Sequence, residues 1–272
     1  MNASSAFTPV PDLAAVTAAL GSLATVFDIR WVEECASTNS VLLEAPPDND
    51  GRAHVLVATR QSAGRGRRGR QWLAWPGASL TFSVLWRFVP NAPAPAGLSL
   101  VVGLALARAL EKLGVCSVTL KWPNDVLVHG AKIAGVLVEM LPERERAYSV
   151  VVGIGLNLRL PAEVVIPGQE GGGVTDLAHA LGEAPASEVL LAAILSELHP
   201  MLTTYASTGF GLLRRAWEQR NAFANLPVQI NGEGLDVTGL CLGVDEEGVL
   251  LVRNDKGTHR VYAGDVSLRS AP

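Results

Sequence analysis

Eleven consecutive residues hold the densest chemistry in the chain. Arg60-Gln-Ser-Ala-Gly64-Arg65-Gly66-Arg67-Arg68-Gly69-Arg70 gathers five arginines and three glycines in a protein whose formal net charge is −4. No Asp or Glu occurs between Gly51 and Leu110, so no sequence neighbour neutralises the cluster. Like charges held this close repel unless an anion joins them, and a guanidinium meets phosphate or carboxylate with two parallel hydrogen bonds. Glycines supply φ > 0 and let backbone amides approach such a ligand closely. A small anionic ligand is the expected partner.

Two other readings of the stretch fail on context. Gly64-x-Gly66-x-x-Gly69 matches a dinucleotide fingerprint, which must follow a strand, open a helix and be answered by an acid about 20 residues on. Val55 to Ala58 can be the strand, but Trp72-Leu-Ala-Trp-Pro76-Gly77 follows and the next acid is Glu111. A phosphate-binding Walker loop lacks its Lys-Ser or Lys-Thr. A nucleic-acid-binding or merely solvated surface stays as the alternative, but Trp72, Trp75 and the strand-like Leu80 to Trp86 follow at once and favour a structured loop. The negative net charge also argues against a general nucleic-acid binder.

Further polar residues interrupt apolar segments. Ser37-Thr38-Asn39 stands at a strand-to-helix corner, where Ser37 or Thr38 reads as a helix N-cap or, alternatively, the group binds a polar ligand. Lys121-Trp122-Pro123-Asn124-Asp125 lies between two apolar strands; it is turn chemistry that also brings a lysine and an acid to one corner. Lys132 opens the next strand and can be a solvated end residue. Asn157 interrupts an apolar run and needs partners.

Several classes are set aside. Cys35, Cys116 and Cys241 are odd in number and far apart, which disfavours a disulfide framework or a cysteine zinc site and suits buried thiols in a reducing cytoplasm. The five histidines form no HExxH or close pair, and no G-x-S-x-G occurs. The first basic residue is Arg30, so the N-terminus reads as having no secretory signal. The longest apolar run, Leu98 to Ala107, falls short of a membrane span, which needs about 20 residues. A cytoplasmic protein is expected.

With 272 residues, 49% of them hydrophobic, one large domain or two can form. Residues 1–10 read as disordered, followed by a short helix between Asp12 and Gly21. Strands are expected at Phe27 to Val32, His54 to Thr59, Ser79 to Phe88, Ser117 to Leu120, Val126 to His129 and Lys132 to Glu139. Tyr148 to Leu158 is apolar throughout and reads as a central strand. Leu98 to Leu113 is a buried helix ended by Gly114. Pro161 to Val174 is a long loop. Helices follow at Ser187 to Leu198, interrupted near Pro200, and at Phe210 to Arg220. After Pro227, turns at Asn231-Gly232, Asp245 to Gly248 and Asn254 to Gly257 space short strands as in a small β-barrel.

The order of these segments resembles the biotin protein ligase family. Ser37-Thr38-Asn39, Gln61-Ser-Ala-GRGRRGR, Lys121-Trp-Pro-Asn-Asp125, Lys132-Ile-Ala-Gly135 with Glu139, and Gly153-Ile-Gly155-Leu-Asn157 are similar to its signature segments, and Gly243 to Leu268 to its C-terminal cap. The resemblance covers roughly residues 27–270. It implies an α+β fold: a mixed β-sheet flanked by helices, as in class II aminoacyl-tRNA synthetases, with a C-terminal SH3-like β-barrel. It divides the chain into a tail and short helix over 1–26, a catalytic domain over 27–224 and the C-terminal domain over 225–272. Fewer than thirty residues precede the catalytic region, so the resemblance is to the monofunctional type without the DNA-binding domain.

The reaction implied is formation of biotinyl-5′-AMP from biotin, ATP and Mg²⁺, then transfer to a lysine of a biotin carboxyl carrier protein. Two anions must meet, so the site needs fixed positive charge more than a nucleophile. By resemblance Lys132, Arg67, Asp125 and Lys121 are catalytic. Lys132 would neutralise the carboxylate, and Lys121 and Asp125 would orient phosphate or the incoming amine. Arg65 and Arg67 would lie along the ligand path, and Arg70 near the nucleotide phosphates. Ser37, Thr38, Asn39 and Gln61 would hold the ureido head and valerate tail. Trp72 would pack on the ligand, Asn157 would serve the adenine, and Gly64, Gly66 and Gly135 complete the ligand-binding set. The loops 60–77 and 161–174 would close over the adenylate. A monomer or weak homodimer without DNA or membrane partners is expected. Two alternatives are a lipoate or octanoate ligase of the same fold, whose site is wholly apolar where this one is polar, and a non-catalytic basic binding module.

Overall fold

In a computed structural model, residues 11–75, 77–142, 147–161, 173–232, 235–264 and 266–271 are described. Helix α1 (Leu13–Leu20) starts where Asp12 accepts hydrogen bonds from the Ala14 and Ala15 amides, and stops at Gly21 with φ 56°. A cap of this kind contributes about 1 kcal/mol. Strand β1 runs from Phe27 to Cys35, three residues past the end expected from sequence, and delivers the chain into α2 (Thr38–Glu44). Strands β2 (Ala53–Gln61) and β3 (Ser79–Phe88) flank the arginine stretch. Helix α3 (Leu98–Lys112) precedes β4 (Val118–Lys121), β5 (Asp125–Val128), β6 (Ala131–Pro142) and β7 (Tyr148–Asn157).

These strands form one seven-stranded sheet in the order β1-β2-β3-β7-β6-β5-β4, with β1 and β2 parallel and the other pairs antiparallel. The apolar strand β7 is the middle one, as its composition predicts. Side chains alternate between faces. Leu80, Phe82, Val84, Val150, Val152, Ile154, Ala134 and Val136 point to the helical side and join the main core. Opposite them, Leu42, Leu56, Leu85 and Val151 pack a small cluster beneath α2. That same face turns into Thr81, Ser83, Gly153 and Gly155 towards one end, so the polar floor of a site lies next to an apolar seat for α2.

The helical layer contains α3, α4 (Leu177–Leu181), α5 (Ser187–Thr208) and α6 (Gly211–Glu218). Helix α3 packs on α5 and is buried nearly all round. Helix α4 was not expected from sequence, although Asp176 caps it through the His179 amide. Helix α5 continues through Pro200 rather than ending at Leu198. Pro200 is exposed, so the carbonyl left without a donor can meet water. The buried stripe Leu198, Met201, Leu202, Tyr205 carries the helix onward. By length and composition α5 is apolar enough to cross a membrane, but it carries Glu188, Glu197 and Pro200 and 56% of its most apolar window is buried inside the protein, as in a core helix.

The C-terminal strands β8 (Pro227–Gly232), β9 (Leu235–Val244), β10 (Leu250–Asn254), β11 (Gly257–Val261) and β12 (Val266–Ser270) make a second, antiparallel sheet in the order β11-β10-β9-β8-β12. Among the described residues this sheet is open from β11 to β12, where a closed barrel was expected. It is not a separate body. Val228, Ile230, Cys241, Val244, Leu250 and Val252 belong to the same core as α3 and α5. Trp122, 1% exposed, donates its indole N–H to the Gly248 carbonyl. The disorder read at residues 1–10 and the loop over 162–172 lie outside the described residues.

Candidate active site

A cavity of about 580 Å³ opens on the polar face of the large sheet, a volume suited to one ligand of moderate size. Its walls come from α2, the arginine stretch, the β4–β5 corner, β6, β7 and Leu268 of the second sheet. Ser37, Thr38, Asn39, Gln61, Arg65, Gly66, Arg67, Arg70, Trp72, Lys121, Asp125, Lys132, Gly135 and Asn157, all predicted from sequence, line it. Gly64 is the exception. A Cβ there would stand 2.6 Å from the Trp72 carbonyl oxygen, so Gly64 is needed for the loop to fold back on itself and not to contact a ligand.

The arginine stretch is ordered by its own backbone. Gly66 N–H donates to the Arg70 carbonyl at 2.7 Å and Trp72 N–H to the Gly64 carbonyl at 3.0 Å. Arg68 and Gly69 both take positive φ, 61° and 67°, which turns the chain. Gly64 and Gly66 do not adopt that conformation; they give clearance. The stretch therefore forms a tight hairpin-like loop closed by the Arg65–Gln71 bridge, and only Gly69 serves the φ > 0 role expected of its glycines.

Charges absent from the local sequence arrive through the fold. Arg65 Nη2 lies 2.7 Å from Glu139 Oε1 of β6, so a carboxylate 74 residues away neutralises an arginine that no sequence neighbour can. Arg67 donates to Asn124 Oδ1 at 3.2 Å and to the Ala263 and Gly264 carbonyls at 3.0 and 2.6 Å, tying the loop to the second sheet. Arg60 pairs with Glu34 on the surface. Arg68 and Arg70 line the cavity without a carboxylate partner among the described residues, and they carry the uncompensated charge.

Lys132 and Asp125 face each other across the β5–β6 hairpin, with Nζ 2.5 Å from Oδ1. Lys132 is four-fifths buried, not a solvated strand end, and its ammonium also lies over the Trp72 indole, 5.8 Å from the ring centre. Lys121 rests over Phe223. Burial pushes its ammonium below its usual pKa, and Lys132, Arg269 and Arg70 push the same way against the opposing pull of Asp125. An anion entering here relieves a concentration of positive charge.

A second group of residues is uncharged. Ser37 stands at the N-cap position of α2, but its side chain makes no capping bond. Its hydroxyl is therefore not used by the helix, contrary to the cap reading. Gln61 Oε1 accepts from the Thr38 amide at 2.8 Å. Thr38 Oγ1 lies 2.6 Å from Ser83 Oγ, and Asn39 donates to Glu139 Oε2 at 2.9 Å. Asn157 Nδ2 donates to the Thr175 carbonyl, fixing the 173–175 segment that pairs with Lys132. Among the described residues Trp72 Nε1 is buried without a partner, a donor that fits an acceptor on a bound molecule.

Sequence reasoning missed Arg68, Gln71, Leu73, Thr81, Ser83 and Leu268. Arg68 could have been found in the arginine stretch, whereas nothing local marks Ser83 or Leu268. Glycines at 153 and 155 are explained by packing: a Cβ would stand 2.3 Å from Asn39 Oδ1 at the first and 2.3 Å from the Trp72 ring at the second. No group of three or more His, Cys, Asp or Glu side chains among the described residues is arranged to hold a metal ion.

Comparison with known proteins places this geometry. Residues 34–157 match the biotin/lipoate A/B protein ligase family, and residues 225–269 match the biotin protein ligase C-terminal domain. The bifunctional ligase/repressor BirA of Escherichia coli is 35% identical over 86% of this chain and 72% of its own. The biotin–[acetyl-CoA-carboxylase] ligase of Paracoccus denitrificans is 35% identical over 85% of this chain and 96% of its own. The Aquifex aeolicus biotin protein ligase, solved in complex with biotin and ATP, superposes with a TM-score of 0.76 at 30% identity, covering 90% of this chain and 99% of that one. With both of the family's matched segments in place and the arginine stretch, the Lys121–Asp125 corner and Lys132 all on one cavity, this chain belongs to the biotin protein ligases.

Proposed function

We propose that the chain is an ATP-dependent biotin ligase that makes biotinyl-5′-AMP and passes the biotinyl group to a lysine of a biotin carboxyl carrier protein. The observation that carries this reading is the presence of two groups of residues on one cavity. Ser37, Thr38 and Gln61, the last two hydrogen-bonded to each other, form an uncharged group, and Lys132, Lys121 and Arg70, whose charges act on one another, form a cationic group on the same cavity. Biotin has an uncharged urea at one end and a carboxylate at the other, and the carboxylate must meet a triphosphate. We assign residues 27–224 to the catalytic unit and 225–272 to the C-terminal unit, whose Leu268 and Ala263–Gly264 carbonyls reach the site.

The residues act by placement and charge. Lys132 stabilises the biotin carboxylate and the negative charge that develops as it attacks the α-phosphate, while Arg67, Arg68, Arg70 and Lys121 hold the phosphates in line. Fixed donors of this kind contribute more in the transition state than in the ground state. Asp125 holds Lys132 in position and, once the adenylate has formed, lies where it orients the incoming amine. A Mg²⁺ carried by the nucleotide fits the donor set, because Asp125 is the one carboxylate lining the cavity among the described residues and magnesium bound to phosphates keeps most of its waters. When bound, it supplies further neutralisation of the phosphate charge.

The test is ATP–pyrophosphate exchange measured with biotin, with lipoate and with neither. Exchange with biotin alone supports the reading. Exchange with lipoate instead transfers the chain to the lipoate branch, and exchange with neither leaves a binding module. The polar side chains of the uncharged group favour the first outcome, since a lipoyl chain presents no urea to satisfy them.

A further inference from the structure

Ser83 lies in the middle of β3, is 0% exposed and does not line the cavity. Its hydroxyl is nevertheless the junction between two residues that do. Thr38 Oγ1 is 2.6 Å away on one side and Asn39 Oδ1 is 2.5 Å away on the other. The direction of each hydrogen bond follows from counting protons. Asn39 Nδ2 faces Glu139 Oε2 and the Leu137 carbonyl, both acceptors, so Asn39 presents its oxygen to Ser83. Ser83 must then donate its only proton to Asn39. Two hydroxyl oxygens 2.6 Å apart need a proton between them, and it can come only from Thr38.

The consequences reach the cavity. With its proton committed to Ser83, Thr38 Oγ1 offers lone pairs to a ligand and acts as an acceptor. Gln61 Oε1 is occupied by the Thr38 amide, so the amide nitrogen of Gln61 is the atom left to donate. Asn39 has its oxygen engaged by Ser83 and its nitrogen by Glu139, so besides lining the cavity it works as a strut between α2 and β6. Glu139 in turn holds Arg65. One chain of hydrogen bonds, Gln61–Thr38–Ser83–Asn39–Glu139–Arg65, buried at Thr38, Ser83 and Asn39 and reaching the surface at Arg65, links the uncharged group on the cavity to the arginine loop.

We propose that Ser83 is a positioning residue that sets the hydrogen-bond polarity of the pocket, fixing an acceptor at Thr38 and a donor at Gln61 to match the N–H and C=O of a cyclic urea. This rests on the biotin reading above. The specificity it predicts is for the N–H group itself: a ring of the same shape with an oxygen in place of one N–H would bring two lone pairs together at Thr38. The other acceptor for the Thr38 hydroxyl among the described residues, Gln61 Oε1, is 3.3 Å away, longer than the 2.6 Å to Ser83. Without the Ser83 hydroxyl this weaker hold lets Thr38 rotate and donate to the ligand, and the penalty shrinks.

The experiment is calorimetric binding of biotin and of the two cyclic-carbamate analogues in which one or the other ring N–H is replaced by oxygen. It is run on the full chain as wild type, Ser83→Ala and Ser83→Cys. Wild type is expected to bind at least one carbamate about tenfold or more weakly than biotin, the loss of one well-formed hydrogen bond. In both variants that ratio is expected to fall to about threefold or less, while general weakening from altered packing leaves a ratio unmoved. A ratio unchanged in a folded variant overturns the inference. So does a wild type that binds both carbamates as tightly as biotin, which needs no variant. Wild type that binds biotin but fails these criteria removes only the role of Ser83; wild type that does not bind biotin removes the proposed function and this inference together.

Discussion

Gly155 lies directly beneath the Trp72 indole, so close that a Cβ at this position would stand 2.3 Å from ring atom Cε2. The middle strand of the sheet is thereby coupled to the end of the arginine loop. Gly135, across the register from Gly155, faces the same ring, with a would-be Cβ at 3.3 Å. Two adjacent strands thus carry a glycine where one aromatic side chain must lie flat.

Gly155→Ala is expected to push Trp72 off the sheet and take Lys132, which lies over the same ring, with it. A displacement near 1 Å at a reacting group costs roughly 100-fold in rate, so biotin-dependent pyrophosphate exchange should fall by about that factor. The strand core around β7 is untouched, and the thermal midpoint should change little. A variant with normal exchange would show that the ring position is irrelevant to the chemistry.

How much of this was legible beforehand depends on distance along the chain. The arginine stretch announced itself because its signal is local composition. Strand β7 did so because a strand buried on both faces must be apolar. The Arg65–Glu139 pair joins residues 74 apart, and nothing in either neighbourhood predicts it. Ser83 reads as an ordinary alternation in a strand until α2 brings Thr38 and Asn39 over it. Pro200 is a helix breaker by propensity alone, but Leu198, Met201, Leu202 and Tyr205 are fully or nearly fully buried and outweigh one missing hydrogen bond. Closure of the second sheet was expected from turn spacing, which counts strands but does not say whether the first and last meet.

Lys132 and Asp125 should separate by substitution. Lys132→Met removes the cation nearest the carboxylate and is expected to lower adenylate formation by about 100- to 1000-fold, the usual loss for one preorganised donor. Asp125→Asn leaves the lysine in place but unanchored, so adenylate formation should fall less than in Lys132→Met. Transfer from preformed adenylate to the carrier lysine should fall as well. Single-turnover measurement of each half-reaction decides this; an Asp125→Asn protein with normal transfer would show that the carboxylate has no part in orienting the amine.

Arg67 ties the loop to the second sheet through the Ala263 and Gly264 carbonyls. Lysine keeps the charge but lacks the planar fork that reaches several acceptors at once. Arg67→Lys is therefore expected to loosen both ends of the contact, with faster amide exchange across residues 60–77 and around 263–264 in the same variant. Exchange that rises only in the loop would mean that the two elements are not coupled through this side chain.

Lys121 gives the site a pH signature whose sign can be worked out. Burial first, and then the neighbouring cations, depress its pKa in the folded protein below 10.5. Between the depressed value and 10.5 the unfolded chain binds more protons than the folded one, so this residue makes stability rise with pH across that alkaline window. A bound polyphosphate adds negative charge and raises the Lys121 pKa again. Nucleotide binding in the window should therefore take up a proton and weaken as pH increases, whereas below the window the lysine is charged in both states and no uptake occurs. Calorimetry in two buffers of different ionisation enthalpy measures the uptake directly, and Lys121→Met should abolish it. Uptake that persists in Lys121→Met would assign the proton to another group.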